Sequence, residues 1–428
     1  MLKSQPIANK YHEATNHSYL SVKIDPNYVD SSTQPSAYKV YPKFYRRFPL
    51  DEKNPVADLI KLTGAVTLEK AYRNYSVELR VNPSAGGLYP TELYVQIRGV
   101  EGIINGIYHL EVANNQLALV YELIDDGLEA YICPGKTVNG FIFLLSCVYF
   151  RSSWKYKDRS LRYCFLDSGH HLGAIEAASY LHGREIELIF DLDKLGLNQD
   201  LGFENKELVM GAVISGEYED KNRRKFRLKV PFVSGTDYFE ASEFVEKGYG
   251  ETLEPKSDRQ PLIQPQFNYD RQQFYQRVWE RRSARNFRKQ FISKEDFLQI
   301  YRDISQPIPT ASFEDLEIYS VVNRVEGMEA GLYRGMKLIK GGDFSQKAGY
   351  LCVEQRIGSD SAVTFFIVSD YRNYQTASQL AGFIGHRVYL ASNYRGIACT
   401  GIGAYYDEET KEFLETDKDV LYAMAIGL

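Results

Sequence analysis

The chain repeats itself, and a long repeat limits the architecture more than any single motif does. Val100-Glu101-Gly102 recurs as Val325-Glu326-Gly327, a displacement of 225 residues. At that displacement Gly106 falls on Gly331, Tyr108 on Tyr333, and Glu92-Leu93-Tyr94 on Glu317-Ile318-Tyr319. Further on, Gly169, Ala178, Ser179 and Gly183 fall on Gly382, Ala391, Ser392 and Gly396, with Leu208 on Leu421 and Ala212 on Ala425, now displaced by 213. The displacements differ by 12, so the first half carries extra chain between Tyr108 and Gly169. A chain built this way forms one supersecondary unit twice.

Each half reads as α+β. Asn54 can cap a short helix with Pro55 at its first position and Gly64 at its end. Leu93, Val95 and Ile97 alternate with Tyr94, Gln96 and Arg98, as in a half-buried strand. Gly169 to Gly183 reads as a small-residue helix with Leu172, Ile175, Ala178 and Ser179 on a narrow face, and a strand follows at Leu208 to Ile214. In the second half Ser293 and Asp296 form a capping pair before a helix whose stripe is Phe297, Ile300, Tyr301 and Ile304. A strand over Val363 to Val368, a helix from Thr376 to Tyr394 and a strand over Val420 to Ile426 complete it. The expected organisation is an N-terminal arm (1–40), a first domain (41–220), a linker or wrapping segment (221–270) and a second domain (271–428).

Composition removes several classes of function. A formal net charge of −5 gives no basic face for nucleic acid. Five scattered cysteines, never spaced C-x-x-C, argue against a disulfide framework or a zinc site and for a reducing compartment. Met1 to Asn16 lacks the apolar core of a secretory signal, and the apolar run Phe141 to Phe150 is about half of what spans a bilayer. The expected address is the cytoplasm, with no membrane, metal or nucleic-acid partner.

Three stretches could carry chemistry. Arg281-Arg282-Ser283-Ala284-Arg285 puts three guanidiniums and a hydroxyl within five residues, a compact grip for phosphate or a solvated basic turn after the helix holding Phe274 and Val278. Pro83-Ser84-Ala85-Gly86-Gly87 leaves backbone N–H groups open to a flat or anionic ligand, or simply turns the chain. Trp154-Lys155-Tyr156-Lys157-Asp158-Arg159 lies in the first half's extra loop. A lysine there acts as a base only if its pKa is lowered, which Lys157, Arg159 and Arg162 could do; otherwise the loop is solvated surface. His170 and His171 are adjacent on a helix, point in different directions, and read as structural.

Together these stretches resemble the SagB-type flavin-dependent dehydrogenases of the nitroreductase superfamily. The likeness rests on Arg281 to Arg285, on Pro83 through Tyr94, on Tyr11-His12-Glu13, and on Lys155-Tyr156, Arg162-Tyr163 and Gly169-His170. It implies two tandem nitroreductase-like domains, each a central mixed or antiparallel sheet flanked by helices, forming an intramolecular pseudo-dimer that can itself pair as a homodimer. It implies FMN, its phosphate and ribityl chain gripped by Arg281, Arg282, Ser283 and Arg285, with Pro83, Ser84, Ala85, Gly86 and Gly87 contributed by the other half. A backbone N–H from the stretch with Gly401 and Gly403 would face the flavin edge. Lys155 and Tyr156 would remove a proton as hydride leaves for flavin N5.

At the displacement of 225 the second half has Ile308-Pro309-Thr310-Ala311-Ser312 where the first has the Pro83 stretch. The nearest first-half match to Arg281–Arg285 is Arg46-Arg47-Phe48-Pro49. One intact site and one degenerate image are expected, hence one FMN per chain. Nothing basic follows the last strand, which ends Ile426-Gly427-Leu428, and no dinucleotide fingerprint is present, so any use of a nicotinamide cofactor is transient. The implied reaction oxidises a small-molecule or peptide substrate, azoline to azole in type, presented by a cyclodehydratase-like or carrier partner, with oxygen reoxidising the flavin. The alternatives are a nicotinamide-dependent nitro or quinone reductase and a degenerate flavin-binding partner protein without activity.

Overall fold

In a computed structural model, which describes residues 7–25, 29–71, 76–253 and 258–428, the two halves build the same sheet twice. The first has strands β1 (Arg47–Pro49), β4 (Thr91–Arg98), β5 (Gly106–Glu111), β6 (Gln116–Glu122), β7 (Thr137–Cys147), β8 (Glu187–Ile189) and β9 (Leu208–Glu219), with β2 (Val66–Ala71) and β3 (Ser76–Arg80) as a separate hairpin. Its order is β1-β6-β5-β4-β7-β9-β8, antiparallel throughout. After a two-residue pair, β10 (Asp258–Arg259) with β11 (Ser312–Phe313), the second sheet follows. It comprises β12 (Leu316–Val322), β13 (Gly331–Arg334), β14 (Lys337–Gly341), β15 (Val363–Ser369), β16 (Ala398–Ile402) and β17 (Asp419–Gly427). The order β14-β13-β12-β15-β17-β16, again antiparallel, reproduces β6-β5-β4-β7-β9-β8 strand for strand.

Seven helices matter for the site: α1 (Ile7–Ala14), α2 (Ala57–Gly64), α3 (Phe150–Tyr156), α4 (Ser160–Leu181), α5 (Arg271–Glu280), α6 (Lys294–Ile304) and α7 (Tyr374–Tyr394). Helices α4 and α7 are equivalent and almost wholly buried, because small residues let neighbours approach closely. Both stop at a left-handed glycine, Gly183 (φ +64) and Gly396 (φ +73), which explains one repeat pair. The Ser293 cap of α6 is present, its Oγ accepting the Asp296 N–H at 3.0 Å. No described helix is long and apolar enough to cross a membrane.

Three local expectations need correction. Strand β4 is buried on both faces rather than one. Tyr94 faces an apolar core with Ile107, Leu144 and Phe203, and polar residues of the strand find partners in place: Gln96 accepts the Leu128 N–H at 2.7 Å and Arg98 pairs with Glu129 at 3.0 Å. Helix α2 begins at Ala57, not Pro55, because the Asn54 side chain closes a turn by accepting the Val56 N–H. Lys155 and Tyr156 end helix α3 instead of lying in a loop.

The chain divides into two compact units with bounds that cross the expected ones. One unit takes Val29–Pro265 and Pro307–Phe313; the other takes Gln266–Gln306, Glu314–Leu428 and the N-terminal residues. The arm is thus shared. Within the second unit Asp407 accepts the His17 N–H at 2.7 Å, and His12 Nδ1 lies 3.2 Å from the Tyr374 hydroxyl. Within the first, Lys39 is buried against Glu207 at 2.5 Å. The segment after β9 wraps its own unit, with Tyr249 donating to the Val209 carbonyl at 2.7 Å.

Candidate functional site

In the second unit the arginine-rich stretch follows α5 and runs beside the sheet edge. Ser283 bridges Cys399 of β16 in parallel, and the Ala284 N–H donates to the Cys399 carbonyl at 2.8 Å. This fixes where each side chain projects. Arg281 is buried, its guanidinium 5.1 Å from the centre of the Tyr389 ring; Arg285 is exposed. Arg282 donates to the carbonyls of Trp279 and Arg281 and lines a cleft of about 300 Å³ with Arg277, Glu280, Ser283 and Asn393.

Tyr389, on α7, links the expected groups, and sequence reading passed over it. Its hydroxyl is 2.8 Å from Ser283 Oγ and accepts the Gly401 N–H at 2.8 Å. Burial, then Cys399, pushes its pKa up. A side chain at Gly401 would meet the Tyr422 hydroxyl at 2.0 Å, so this glycine serves packing and its N–H is engaged by Tyr389. Gly403 lies just past β16. The signal available for Tyr389 was its place on a long helix that carries the repeat pair Ala391-Ser392.

In the first unit the structure brings two expected features together. Gly86 and Gly87 adopt φ +64 and +68, and Tyr89 adopts +46, so three of four consecutive residues after Ala85 are left-handed. A Cβ on Gly86 would fall 2.7 Å from the Tyr156 hydroxyl and 3.1 Å from Lys155 Nζ. Around Gly87 the same space is open to 4 Å. Tyr156 packs on Tyr163 with ring centres 4.2 Å apart; burial, then Tyr163 and Asp167, raises its pKa.

Two further residues that sequence reading missed hold this arrangement. Asp167 of α4 accepts from Ser84 Oγ at 2.5 Å and from the Ala85 N–H at 3.0 Å; burial pushes its pKa up to about 7 against those two hydrogen bonds. Arg151 of α3 is fully buried. It donates to the Tyr89 carbonyl at 2.9 Å and pairs with Glu92 at 2.6 Å. Burial alone would raise Glu92, but Arg151 and then His109 hold it down at about 2. His171 is structural as expected. Its Nδ1 lies 3.0 Å from Thr91 Oγ1, and burial lowers its pKa to about 3.

Arg46 to Pro49 is not the counterpart of Arg281 to Arg285. Arg47 is held by Glu111 at 3.1 Å, and its strand pairs with β6, at the opposite sheet edge from β8, the equivalent of β16. The position beside β8 is taken by Thr310, which bridges Leu188 in parallel.

Comparison with known proteins agrees with the fold. Residues 278–428 match the nitroreductase family. A protein of Methanocaldococcus jannaschii described as a candidate nitroreductase is 28% identical over 92 residues, 21% of this chain. The chain spans about half of that relative, 46% of its length. A crystal structure from Anabaena variabilis, described as a candidate nitroreductase, superposes with a TM-score of 0.83 over 99% of each chain at 23% identity, which shows a shared fold. Residues 278–428 thus resemble the nitroreductase family, and the chain as a whole shares the fold of the Anabaena structure.

Proposed function

We propose that the protein is an FMN-dependent dehydrogenase of the SagB type, oxidising a small-molecule or peptide-derived substrate with one FMN per chain. The residues suit that group. Three arginines and a serine within five positions supply the positive charge and donors that a phosphate takes, and Gly87 has the open backbone on which a flat ring can lie. Within their own unit Arg281, Arg282, Ser283 and Arg285 would hold the phosphate and ribityl end, and the stretch with Gly403 would face the ring. FMN, when bound, supplies the hydride acceptor.

The observation that carries the oxidative reading is the convergence of Lys155 Nζ and the Tyr156 hydroxyl on Gly86. A substrate carbon beside the bond being oxidised must lose a proton, and a lysine–tyrosine pair at one backbone position can take and pass it on. Simple reductases of flavin type need no such pair, because solvent supplies protons. A carrier or cyclodehydratase-like partner would present the substrate.

The test is an absorbance spectrum of the purified protein with its flavin-to-chain ratio, followed by turnover of Lys155→Ala and Tyr156→Phe. A ratio of one and variants that bind FMN yet lose turnover are expected. Colourless protein that takes up no FMN would point to a partner protein. Rapid bleaching by a reduced nicotinamide would favour a reductase, and full turnover by both variants would discard the proposed base.

A further inference from the structure

The loop from Pro83 to Tyr89 is held in a costly shape. Glycine adopts positive φ freely, but Tyr89 at +46 does not, and such outliers persist only where the surroundings over-determine them. Here they do so from both ends. The Ser84 hydroxyl accepts the Tyr89 N–H at 2.8 Å while donating to Asp167, and Asp167 also accepts the Ala85 N–H. At the far end the Tyr89 hydroxyl accepts the Arg80 N–H at 3.1 Å, the Arg80 guanidinium lies 4.4 Å from the ring centre, and Arg151 takes the Tyr89 carbonyl.

A turn this short could hold its shape with fewer ties if it only reversed the chain. What it places is the Cα face of Gly86, where Lys155 and Tyr156 meet. Arg151 lies on the same helix as Lys155 and Tyr156, one turn before Lys155, so that pair and the loop it faces share an anchor.

We infer that Asp167 is a positioning residue for the Lys155–Tyr156 pair, acting through Ser84 and the left-handed turn at Gly86. Asp167 need touch neither substrate nor cofactor. It fixes the backbone on which the proposed proton acceptor rests, and its placement beneath that backbone suits this role better than chemistry of its own. The catalytic meaning of the inference rests on the dehydrogenase reading above; the geometric claim does not.

The experiment separates the two. In the full-length protein, the acetylation rate of Lys155 is measured by competitive labelling with acetic anhydride and mass spectrometry, with exposed Lys53 as the internal control. Asp167→Asn and Ser84→Ala should each change the Lys155 rate by a factor of about three or more. The double variant should go no further, because the two act in one chain of contacts. Lys53 should not respond. If the Asp167 variant does not fold, Ser84→Ala, which removes one hydroxyl, carries the test alone. An unchanged Lys155 rate in the folded variants, or additive changes in the double variant, would overturn the inference. Absence of FMN from the wild-type protein would instead sink the dehydrogenase reading, and the labelling result would still decide the positioning role.

Discussion

Thr310 holds the place on the first sheet that Ser283 holds on the second. Leu188 pairs with Val213 and Cys399 with Ile426; Val213 and Ile426 are displaced by the 213 residues of the repeat, and Leu188 and Cys399 each carry one parallel bridge, to Thr310 and to Ser283. The hydroxyl is kept at both places, but its setting differs. Thr310 Oγ1 donates to the Leu188 carbonyl at 2.9 Å, whereas Ser283 faces Tyr389. The flanking residues are Pro309 and Ala311 in one case and Arg282 and Ala284 in the other, so no arginine adjoins Thr310 in the sequence.

A single phosphate grip follows for the proposed cofactor. Arg282→Ala and Arg285→Ala should each weaken FMN binding at least about tenfold, since hydrogen bonds to charged groups contribute about 1.5–3 kcal/mol. Fluorescence titration reads this directly. Thr310→Ala should leave the FMN affinity unchanged.

The Tyr389 hydroxyl serves two partners, so its removal should cost more than removal of the Ser283 hydroxyl alone. Tyr389→Phe leaves the Gly401 N–H and Ser283 Oγ without it, a loss of about 1–3 kcal/mol in urea unfolding. Ser283→Ala should cost about 1 kcal/mol or less. Equal losses would mean that the Gly401 bond contributes little.

Gly86 and Gly87 have the same backbone conformation but different neighbours. Alanine at Gly87 meets open space and pays only the left-handed penalty, about 1 kcal/mol. Alanine at Gly86 pays that and also displaces the Tyr156 hydroxyl. Gly86→Ala should therefore lose turnover far more than Gly87→Ala at comparable thermal stability, measured by melting and by steady-state assay.

Asp167 gives stability a pH signature. Between the unfolded value of 3.8 and the folded value of about 7, the folded chain retains a proton that the unfolded chain has released. Stability from this group therefore falls as pH rises through that window and levels off above it. Asp167→Asn has no such slope. Urea unfolding at about pH 5 and about pH 8 should show the variant gaining on the wild type with pH. A constant gap would mean that the carboxylate is already ionised in the folded protein throughout.

The repeat, the α+β class and the long strands were legible in the sequence because each depends on local pattern. Displacements of 225 and 213 pointed to equivalent strands, and the two sheets have the same order. Ser293 capped its helix, and Gly183 and Gly396 ended theirs, because capping and left-handed turns need particular residue types at particular positions. Tertiary structure decided what depends on contacts between distant residues. Nothing local in Asp167 or Arg151 shows that one grips Ser84 and the other Tyr89, 83 and 62 residues away. Nor does local pattern show that β4 is covered on both faces, since its polar residues find partners only once the chain has folded. The arginine-rich stretch stood out in the sequence as a candidate grip for anions, but its place did not. That place is set by one bridge to Cys399, and the same bridge in the other sheet identifies Thr310 rather than Arg47 as its counterpart.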